Sequence, residues 1–494
     1  MEQKEKQSAY QHIMKYTGLF GGIQMINMMV GIVRNKLVAM ILGPSGMGLL
    51  SLFNSTIKLV SDSTNLGIPT SGVKSIAQHF DSNSLDDVRR SVDVIRMWSF
   101  LTGIFGFLVC VLFGSFFSSL TFTWGNHSLH FVLLSPIVAM TAITGGELAI
   151  LKGVQKLQNI MVLSTTYALA TTIISVPIYY VFGESGIVPS LCIAAFVYMM
   201  LTLRYSHRIF PYHISISRQL MREGSGMVKL GVAFVVAGIL GSGADFLIKT
   251  ILNNYGNLNE VGLYNAGYVM TFMYAGIVFS AMESDYFPRL SSIGNNKEAI
   301  ANCVNQQVEV TLLLVTPMLI GFIVVMPILI PMLYSKGFLP VVGMVQVAVL
   351  AMVIRALALP VEYIPLANGN SKLYLMVEAV YDVLIVVLSF AGYQLLGLYG
   401  TGVALTLSMI IDYIVACYIM NKYYGYTISM DVLKYASIQL PLALVAYLST
   451  LVSSIYLSFA IGILVTIASA TFSIFVIHKK TSLWKKIMSK LKRK

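Results

Sequence analysis

Long apolar runs separated by short polar stretches make up the chain from residue 14 to residue 478. Each run has about 20 residues or more, the length that an α-helix needs to cross the hydrocarbon core of a bilayer. Cutting the sequence where charges, Pro/Gly pairs or Asn clusters interrupt these runs predicts about fourteen membrane-spanning helices. The predicted spans are 14–41, 47–78, 91–117, 129–151, 159–182, 187–205, 224–251, 260–286, 303–333, 341–367, 373–395, 398–421, 434–452 and 455–478.

Composition strengthens this interpretation. Hydrophobic residues form 56% of the 494 residues, charged residues only 11%, and the mean hydropathy is +0.77. Soluble domains carry about 25% charged residues, so the predicted fold class is an all-α, polytopic membrane protein. The net charge of +12 could suggest a nucleic-acid partner. The basic residues, however, lie between the apolar runs and form no basic face with interleaved aromatics, so we predict no nucleic-acid binding.

The connections between spans alternate in charge. One set carries almost all the basic residues, namely Arg89, Arg90, Lys152, Lys156, Arg204, Arg208, Arg218, Arg222, Arg289, Lys297, Lys372, Lys422 and Lys434. In the opposite set, only Lys336 is basic. The positive-inside rule therefore places the basic set in the cytoplasm, and the even number of spans predicts that both termini are cytoplasmic too. The outer connections are too short for a catalytic domain, which argues against an enzyme.

A short internal sequence repeat, called the echo, suggests that the chain consists of two similar halves. Gly48-Leu49 after the first span corresponds to Gly262-Leu263 after the seventh, and 147–156 corresponds to 362–372. An echo this short also arises by chance, so the repeat is a hypothesis. It predicts two six-helix lobes in a parallel, pseudo-twofold repeat, an arrangement found in transporters. The predicted parts are an N-lobe at 1–210, a C-lobe at 211–425, an added helix pair at 426–478 and a basic cytoplasmic tail at 479–494.

Ionisable residues within spans are the candidate functional residues, because each costs about 2.5–3.5 kcal/mol at a helix centre. Five basic residues predict a cationic cavity suited to binding a substrate through its phosphate groups: Arg34, Lys36, Lys58, Lys249 and Arg355. Arg34 and Lys36 point about 200° apart on a helix, so only one of them can face a cavity centrally. Lys36 is the first candidate for binding the substrate, because it lies in the segment that carries a family resemblance, and Arg34 is the second.

Acidic residues allow either ion coupling or structural pairing. Those assigned to gating or ion coupling, with H+ or Na+ as the coupling ion, are Asp62, Asp245, Glu147 and Glu362. Asp62 follows Lys58 by four residues and Asp245 precedes Lys249 by four, so these could equally be local pairs that neutralise one another. Other acids near the predicted inner ends are Asp93, Glu283, Asp285, Glu309, Glu378, Asp382 and Asp412.

Metal and redox sites are not indicated. The four cysteines lie far apart within apolar runs, and no histidine pair has metal-ligand spacing. We therefore predict no metal site and no resident cofactor.

Residues 31–80 carry a family resemblance. Lys36 to Ala39 resembles a KLLA-like segment, Gly43 to Gly48 matches a GPxGxG turn, and Ser71 to Gln78 (SGVKSIAQ) resembles an NGVTKYVAQ-like segment. The stretch from Tyr286 to Ser291 (YFPRLS) agrees as well. In these features the chain resembles the Wzx-type lipid-linked O-antigen translocases, of the multidrug/oligosaccharidyl-lipid/polysaccharide exporter (MOP) superfamily. Many relatives have twelve spans, and the last two here resemble the added pair of the lipid II flippase relatives.

The resemblance implies that two six-helix lobes open alternately and flip an undecaprenyl-diphosphate-linked oligosaccharide from the inner to the outer leaflet. A polysaccharide polymerase and a chain-length regulator are the implied protein partners. A cation-coupled multidrug exporter of the same superfamily is the main alternative, although it would be expected to need acidic residues in a hydrophobic cavity. A membrane glycosyltransferase or polymerase is a weaker alternative, because the chain has neither a long outer loop nor a DxD-like motif.

Overall fold

A computed structural model describes residues 2–81, 84–122, 127–294 and 296–480. Within these ranges the regular structure is entirely helical, which confirms the predicted all-α class. The α-helices are α1 Glu2–Thr64, α2 Ile68–Asp81, α3 Leu85–Leu112, α4 Gly114–Thr121, α5 Ser128–Gly153, α6 Leu157–Phe182, α7 Ile187–His207, α8 Arg218–Tyr255, α9 Leu258–Tyr268, α10 Ala275–Ser291, α11 Lys297–Leu333, α12 Val342–Ala367, α13 Ser371–Tyr424, α14 Met430–Ser449 and α15 Ile455–Lys480. Most of the predicted basic tail, 481–494, lies outside the described residues.

Ten helical segments among the described residues are long and apolar enough to cross a membrane. Three of them, Met25–Thr64, Leu157–His207 and Ser371–Tyr424, have 40, 51 and 54 residues. About 20 residues suffice for one crossing, so each of these three has the length of two predicted spans. The protein is thus a multi-pass membrane protein, and the number of fourteen crossings stays a prediction.

Glycine residues with positive φ interrupt these long segments. Gly43 within α1 has φ 64°, and Gly397 within α13 has φ 61°. Side chains disfavour this conformation, whereas glycine adopts it without a steric penalty. Gly43 and Gly397 fall between predicted spans, which explains why a turn residue rather than a charged loop separates the two arms of each segment.

Two predicted spans break well inside the apolar run, and a third, 91–117, changes from α3 to α4 at Phe113. The span predicted at 47–78 breaks between α1 and α2, where Leu66 and Gly67 have φ of 50° and 69°. The Asn65 side chain accepts a hydrogen bond from the Gly67 N–H at 2.7 Å and so stabilises the break. The span predicted at 260–286 contains a π-helical segment, Val269–Tyr274. Hydropathy alone does not reveal either break, because the apolar run continues through it.

Contacts divide the chain into two compact units. Unit 1 comprises Met1–Gly262 with Leu333–Ser335, and unit 2 comprises Leu263–Met332 with Lys336–Lys494. Helix α8 packs against α1, α2 and α3, so it belongs to unit 1. The division of the chain into two six-helix lobes with a boundary at residue 210 stays a prediction.

Unit 1 contains a very close helix contact. A Cβ atom on Gly48 would lie 2.0 Å from the carbonyl oxygen of Leu258, and one on Gly262 would lie 1.8 Å from that of Pro44. Only glycine allows backbones to approach so closely. The two glycines of the predicted sequence echo therefore meet at one helix crossing.

In unit 2, α12 packs along α13, and α14 packs against α15 and α12. Helix α15 also lies against α11, where a Cβ atom on Gly462 would lie 2.5 Å from the Val324 side chain. At the end of α15, Lys480 forms ion pairs with Glu309 at 2.5 Å and Asp431 at 2.7 Å. The last helix pair is therefore an integral part of unit 2.

Candidate functional site

Arg34 lies within unit 1 on the first arm of α1. Its Nε donates a hydrogen bond to Ser175 Oγ of α6 at 3.2 Å, and its side chain is half-buried. Ser175 in turn donates to the carbonyl oxygen of Thr171 at 2.6 Å. A neutral hydroxyl orients the guanidinium without neutralising it, so Arg34 keeps its charge and further N–H donors for an anion.

The other basic candidates of unit 1 have different surroundings. Lys36 is half-buried, and Lys58 is exposed. Lys249 is 7% exposed, and its Nζ is 2.8 Å from Asp245 Oδ2. Asp245 and Lys249 therefore form the local ion pair that their spacing allows, and the substrate-binding role assigned to Lys249 stays a prediction.

Asp62 lies beside a glycine of α8. A Cβ atom on Gly238 would come within 3.4 Å of the Asp62 Cβ, so the absence of a side chain there leaves room for the carboxylate. The Ser242 hydroxyl, one turn further along α8, donates a hydrogen bond to the Gly238 carbonyl oxygen at 2.6 Å, and both Ser242 and Lys58 are close enough to interact electrostatically with Asp62. Asp62 thus links α1 and α8 through a polar contact within the predicted membrane region.

Glu147 is the partner of Arg96. The Arg96 Nε and Nη2 donate to the two carboxylate oxygens at 2.9 and 3.3 Å, and both side chains are 2% exposed. Arg96 also donates to the carbonyl oxygens of Phe210 and Pro211 at 3.0 and 2.7 Å, and Tyr212 lies 5.0 Å from the guanidinium. The pair therefore ties α3 and α5 to the chain that follows α7. The two charges neutralise each other, and both carboxylate oxygens and all three guanidinium nitrogens have hydrogen-bond partners, which is typical of an architectural role.

Unit 2 contains the second ionisable site. A cavity of about 40 Å³ has room for about two or three water molecules. Its lining is unusual for a membrane interior because it is mostly ionisable, consisting of Arg355, Glu362, Val377, Glu378, Tyr381, Met409 and Asp412. These side chains come from α12 and from both arms of α13. We call this group the carboxyl cavity.

Glu362 and Asp412 form the centre of the carboxyl cavity. Their carboxyl groups are close enough to interact with each other, and Arg355 is close enough to attract both. Glu362 Oε1 and Asp412 Oδ1 are buried and lack a hydrogen-bond partner among the described residues. Carboxylates this close repel each other in a protein interior, and a bound proton or cation relieves the repulsion. The carboxyl cavity can therefore bind a proton or a small cation.

The sequence identified some members of these sites and missed others. It singled out Arg355 and Glu362 separately, and the structure brings both into the carboxyl cavity. Asp412 was placed only among the acids near inner ends, because nothing in its own span indicates a partner 50 residues away. Ser175 was not identified, although it belongs to a set of polar residues that recur every four positions along α6. Within the described residues, no group of three or more His, Cys, Asp or Glu has metal-binding geometry.

Comparison with solved structures gives the fold family. A lipid II flippase, MurJ, in an inward closed conformation has a TM-score of 0.74 at 13% identity, covering 94% of this chain and 99% of that one. An inward-facing multidrug resistance MATE transporter of the MOP superfamily has a TM-score of 0.66 at 14% identity, with 83% and 96% covered. A MOP transporter from Pyrococcus furiosus, described as having a binding pocket of reversed polarity, has a TM-score of 0.57 at 14% identity, with 82% and 94% covered.

Sequence comparison gives the family. No curated protein matches the chain significantly. A family model described as "Polysaccharide biosynthesis protein" matches residues 37–343, more than half of the chain. This match includes most of the segment that carries the Wzx-type resemblance and confirms it at the level of the family. The protein therefore belongs to the family of polysaccharide biosynthesis proteins and has the fold of the MOP transporter superfamily.

Proposed function

We propose that this protein flips an undecaprenyl-diphosphate-linked oligosaccharide, a repeat unit of O-antigen, capsule or exopolysaccharide, from the cytoplasmic to the outer leaflet. The observation that carries the proposal is the match to a polysaccharide biosynthesis family in a chain with a transporter fold. A protein with this fold is named as a lipid II flippase, and its TM-score is higher than those of the two MOP transporters compared above.

The substrate requires a charged path. A diphosphate carries about two negative charges, and neither it nor the sugar hydroxyls can cross bare hydrocarbon without a large desolvation cost. We assign diphosphate binding to Arg34, whose charge is oriented but not neutralised, and keep Lys36, Lys58, Lys249 and Arg355 as further candidates. The polyprenyl tail stays in the lipid while the head group crosses by alternating access.

Ion coupling is assigned to the carboxyl cavity. Glu362 and Asp412 have open oxygens, a shared environment and Arg355 nearby, which supports proton binding during the cycle. A membrane potential that is negative inside also favours outward movement of an anion by about 2.3 kcal/mol per charge per 100 mV. A proton that moves inward through unit 2 would add to this driving force.

The multidrug exporter remains the second candidate, and one observation favours it. The carboxyl cavity supplies the membrane-embedded acids that a cation-coupled exporter needs. The two functions predict different phenotypes for a strain that lacks this gene. Loss of a flippase removes surface glycan, whereas loss of an exporter makes the cells sensitive to drugs.

We further propose that the protein lies in the inner membrane with both termini cytoplasmic, and that a polymerase and a chain-length regulator act on its product. Orientation is tested with single cysteines in intact cells. A cysteine at Gly256 should react with an impermeant thiol reagent, whereas one at Ser217 should not. Labelling at Ser217 from outside would reverse the topology.

Function is tested by glycan display in a strain that lacks this gene. Wild-type protein should restore outer-leaflet glycan, and a well-inserted Arg34→Glu variant should not. Restored drug resistance without any effect on surface glycan would favour the exporter and contradict the flippase.

A further inference from the structure

Three helix faces of unit 1 form a polar seam around Arg34. On α6, four polar residues recur every four positions and therefore lie on one face of the helix. The seam comprises Asn27 and Arg34 of α1, Tyr167, Thr171, Ser175 and Tyr179 of α6, and Tyr198 and Thr202 of α7. The opposite face of α6 is apolar, with Leu169 and Ile173 exposed. A polar face on a helix in lipid points inward to something that uses it.

Two tyrosines form an aromatic platform in this seam. The rings of Tyr167 and Tyr198 stack with their centroids 4.1 Å apart and 23° between their planes. Both side chains are half-buried, so part of the pair remains accessible. Arg34 is close enough to Tyr167 to interact electrostatically with it. The platform and the cation are therefore neighbours.

The seam also has hydrogen-bonding capacity that the protein does not use. Ser175 and Thr202 satisfy their hydroxyls with backbone carbonyl oxygens of their own helices, at 2.6 and 2.8 Å. The Tyr179 hydroxyl and the Asn27 Oδ1 are buried and have no hydrogen-bond partner among the residues that the structure describes. Buried polar groups normally find partners, so open ones on the helices that carry Arg34 and Ser175 point to a polar ligand.

These features match a sugar that is bonded to a diphosphate. A pyranose ring presents C–H groups on its faces, which pack on aromatic rings, and hydroxyls at its edge, which need hydrogen bonds. In the substrate class proposed above, the first sugar is attached directly to the diphosphate. Arg34 and the tyrosine platform are adjacent in the same way.

We propose that the polar seam is a glycan subsite, in which an outer face of the stacked Tyr167–Tyr198 pair binds the face of the sugar next to the diphosphate while Arg34 holds the diphosphate. This inference rests on the proposed function and deepens it, because it assigns recognition of the glycan to unit 1. Tyr167 and Tyr198 are then specificity-determining residues, and replacing them changes which glycans are flipped.

The test compares two lipids binding to the purified full-length protein in detergent. One is the lipid-linked oligosaccharide extracted from the host strain that lacks this gene, and the other is undecaprenyl diphosphate without sugar. Tyr198→Leu should weaken binding of the oligosaccharide about tenfold and change binding of the sugarless lipid less than about twofold. Tyr198→Phe should bind both lipids as the wild type does, because the ring is kept.

Two further variants locate the effect. Tyr180→Leu is the matched control, since Tyr180 is on the same helix but 79% exposed, and it should leave both affinities unchanged. Arg34→Ala should weaken binding of both lipids, because the diphosphate is common to them. Melting temperatures of all variants report whether a loss reflects unfolding instead of lost contact.

The outcomes separate this inference from the proposed function. The glycan subsite is wrong if Tyr198→Leu weakens binding of both lipids equally or of neither. It is also wrong if wild-type protein binds both lipids with the same affinity. Neither result contradicts the proposed flipping activity. If Tyr198→Phe loses as much affinity for the oligosaccharide as Tyr198→Leu does, and remains folded, the sugar does not bind to the face of the ring. Wild-type protein that binds neither lipid contradicts the proposed function itself.

Discussion

The two units differ in how their charged side chains are paired within the predicted membrane region. In unit 1, Arg96 and Lys249 are each neutralised by an acid at 2.9 and 2.8 Å, while Arg34 donates to a neutral hydroxyl. In unit 2, acids outnumber the single arginine of the carboxyl cavity, and two carboxylate oxygens lack partners within the described part of the chain. A charge whose bonding capacity is fully used is part of the architecture, whereas a buried charge with open capacity can bind a ligand. On this criterion we propose that unit 1 binds an anion and that unit 2 binds a proton.

The largest effect should come from replacing one of two buried glutamates. Glu147→Gln leaves Arg96 buried without a counter-charge, and breaking such a pair costs about 3–5 kcal/mol of unfolding free energy. Glu362→Gln should leave stability nearly unchanged, because it removes repulsion with Asp412. Denaturation of the two purified variants in mixed micelles measures this difference. Equal stabilities would mean that open bonding capacity does not separate the two sites.

Charge reversal at Arg34 should have the next largest effect. Loss of a charge-assisted hydrogen bond costs about 1.5–3 kcal/mol, so Arg34→Ala should reduce flipping about ten- to a hundredfold. Arg34→Lys should retain part of the activity, and Arg34→Glu should be worse than Ala because it repels the diphosphate. The assay is glycan display at matched membrane levels.

The control for Arg34 is Lys156→Glu, which makes a similar charge change at an exposed position. It should flip normally. Lys36→Glu is a separate test, because the sequence favours Lys36 whereas the hydroxyl-lined surroundings favour Arg34. Normal flipping by charge-reversed Arg34, Lys36, Lys58, Lys249 and Arg355 variants would rule out a cationic substrate site.

A smaller effect is expected from the carboxyl cavity. In proteoliposomes, an inwardly directed proton gradient should stimulate flipping by wild-type protein. Glu362→Gln and Asp412→Asn should lower the stimulated rate about tenfold and leave the unstimulated rate nearly unchanged, because one proton-binding group is lost. Stimulation by a Na+ gradient instead, or full stimulation of both variants, would contradict proton binding here.

The smallest effect should come from an exposed pair. Arg90 Nε donates to Glu223 Oε2 at 2.7 Å, and this hydrogen bond and the positive charge of Arg90 hold the pKa of Glu223 below its usual range. A lowered carboxyl pKa means that the pair stabilises the protein above the usual carboxyl pKa, and that this stabilisation is lost as the pH falls through the lowered value. The melting temperature of the wild type should therefore be slightly higher than that of Glu223→Gln at pH 7, and the two should be equal in acid. A difference that persists in acid would contradict this pairing.

Hydrophobic runs predicted most of the helical fold, because the length of a span is set by the bilayer and is visible within one segment. The spans predicted at 129–151 and 159–182 differ from α5 and α6 by no more than two residues at either end. The break at Leu66 and Gly67 was missed, since it depends on local backbone conformation inside an apolar run.

The sites were harder to predict, because they depend on contacts between distant spans. The sequence identified charges by their cost in lipid, which drew attention to Arg34, Arg355 and Glu362 one by one. It could not show that Ser175, 141 residues away, receives a hydrogen bond from Arg34, or that Asp412 meets Glu362. Local spacing did succeed for Asp245 and Lys249, which lie on one helix face four residues apart.

Flipping by the purified protein is the most direct test of the central claim. The protein is reconstituted into liposomes that contain its lipid-linked oligosaccharide, and an enzyme added outside modifies only the glycans of the outer leaflet. We expect wild-type protein to make the inner pool accessible and Arg34→Glu to leave about half of the glycan protected, as in protein-free vesicles whose two leaflets hold about equal pools. Protection in the wild-type vesicles, or equal exposure by wild type and Arg34→Glu, would contradict a flippase that carries its anion on Arg34.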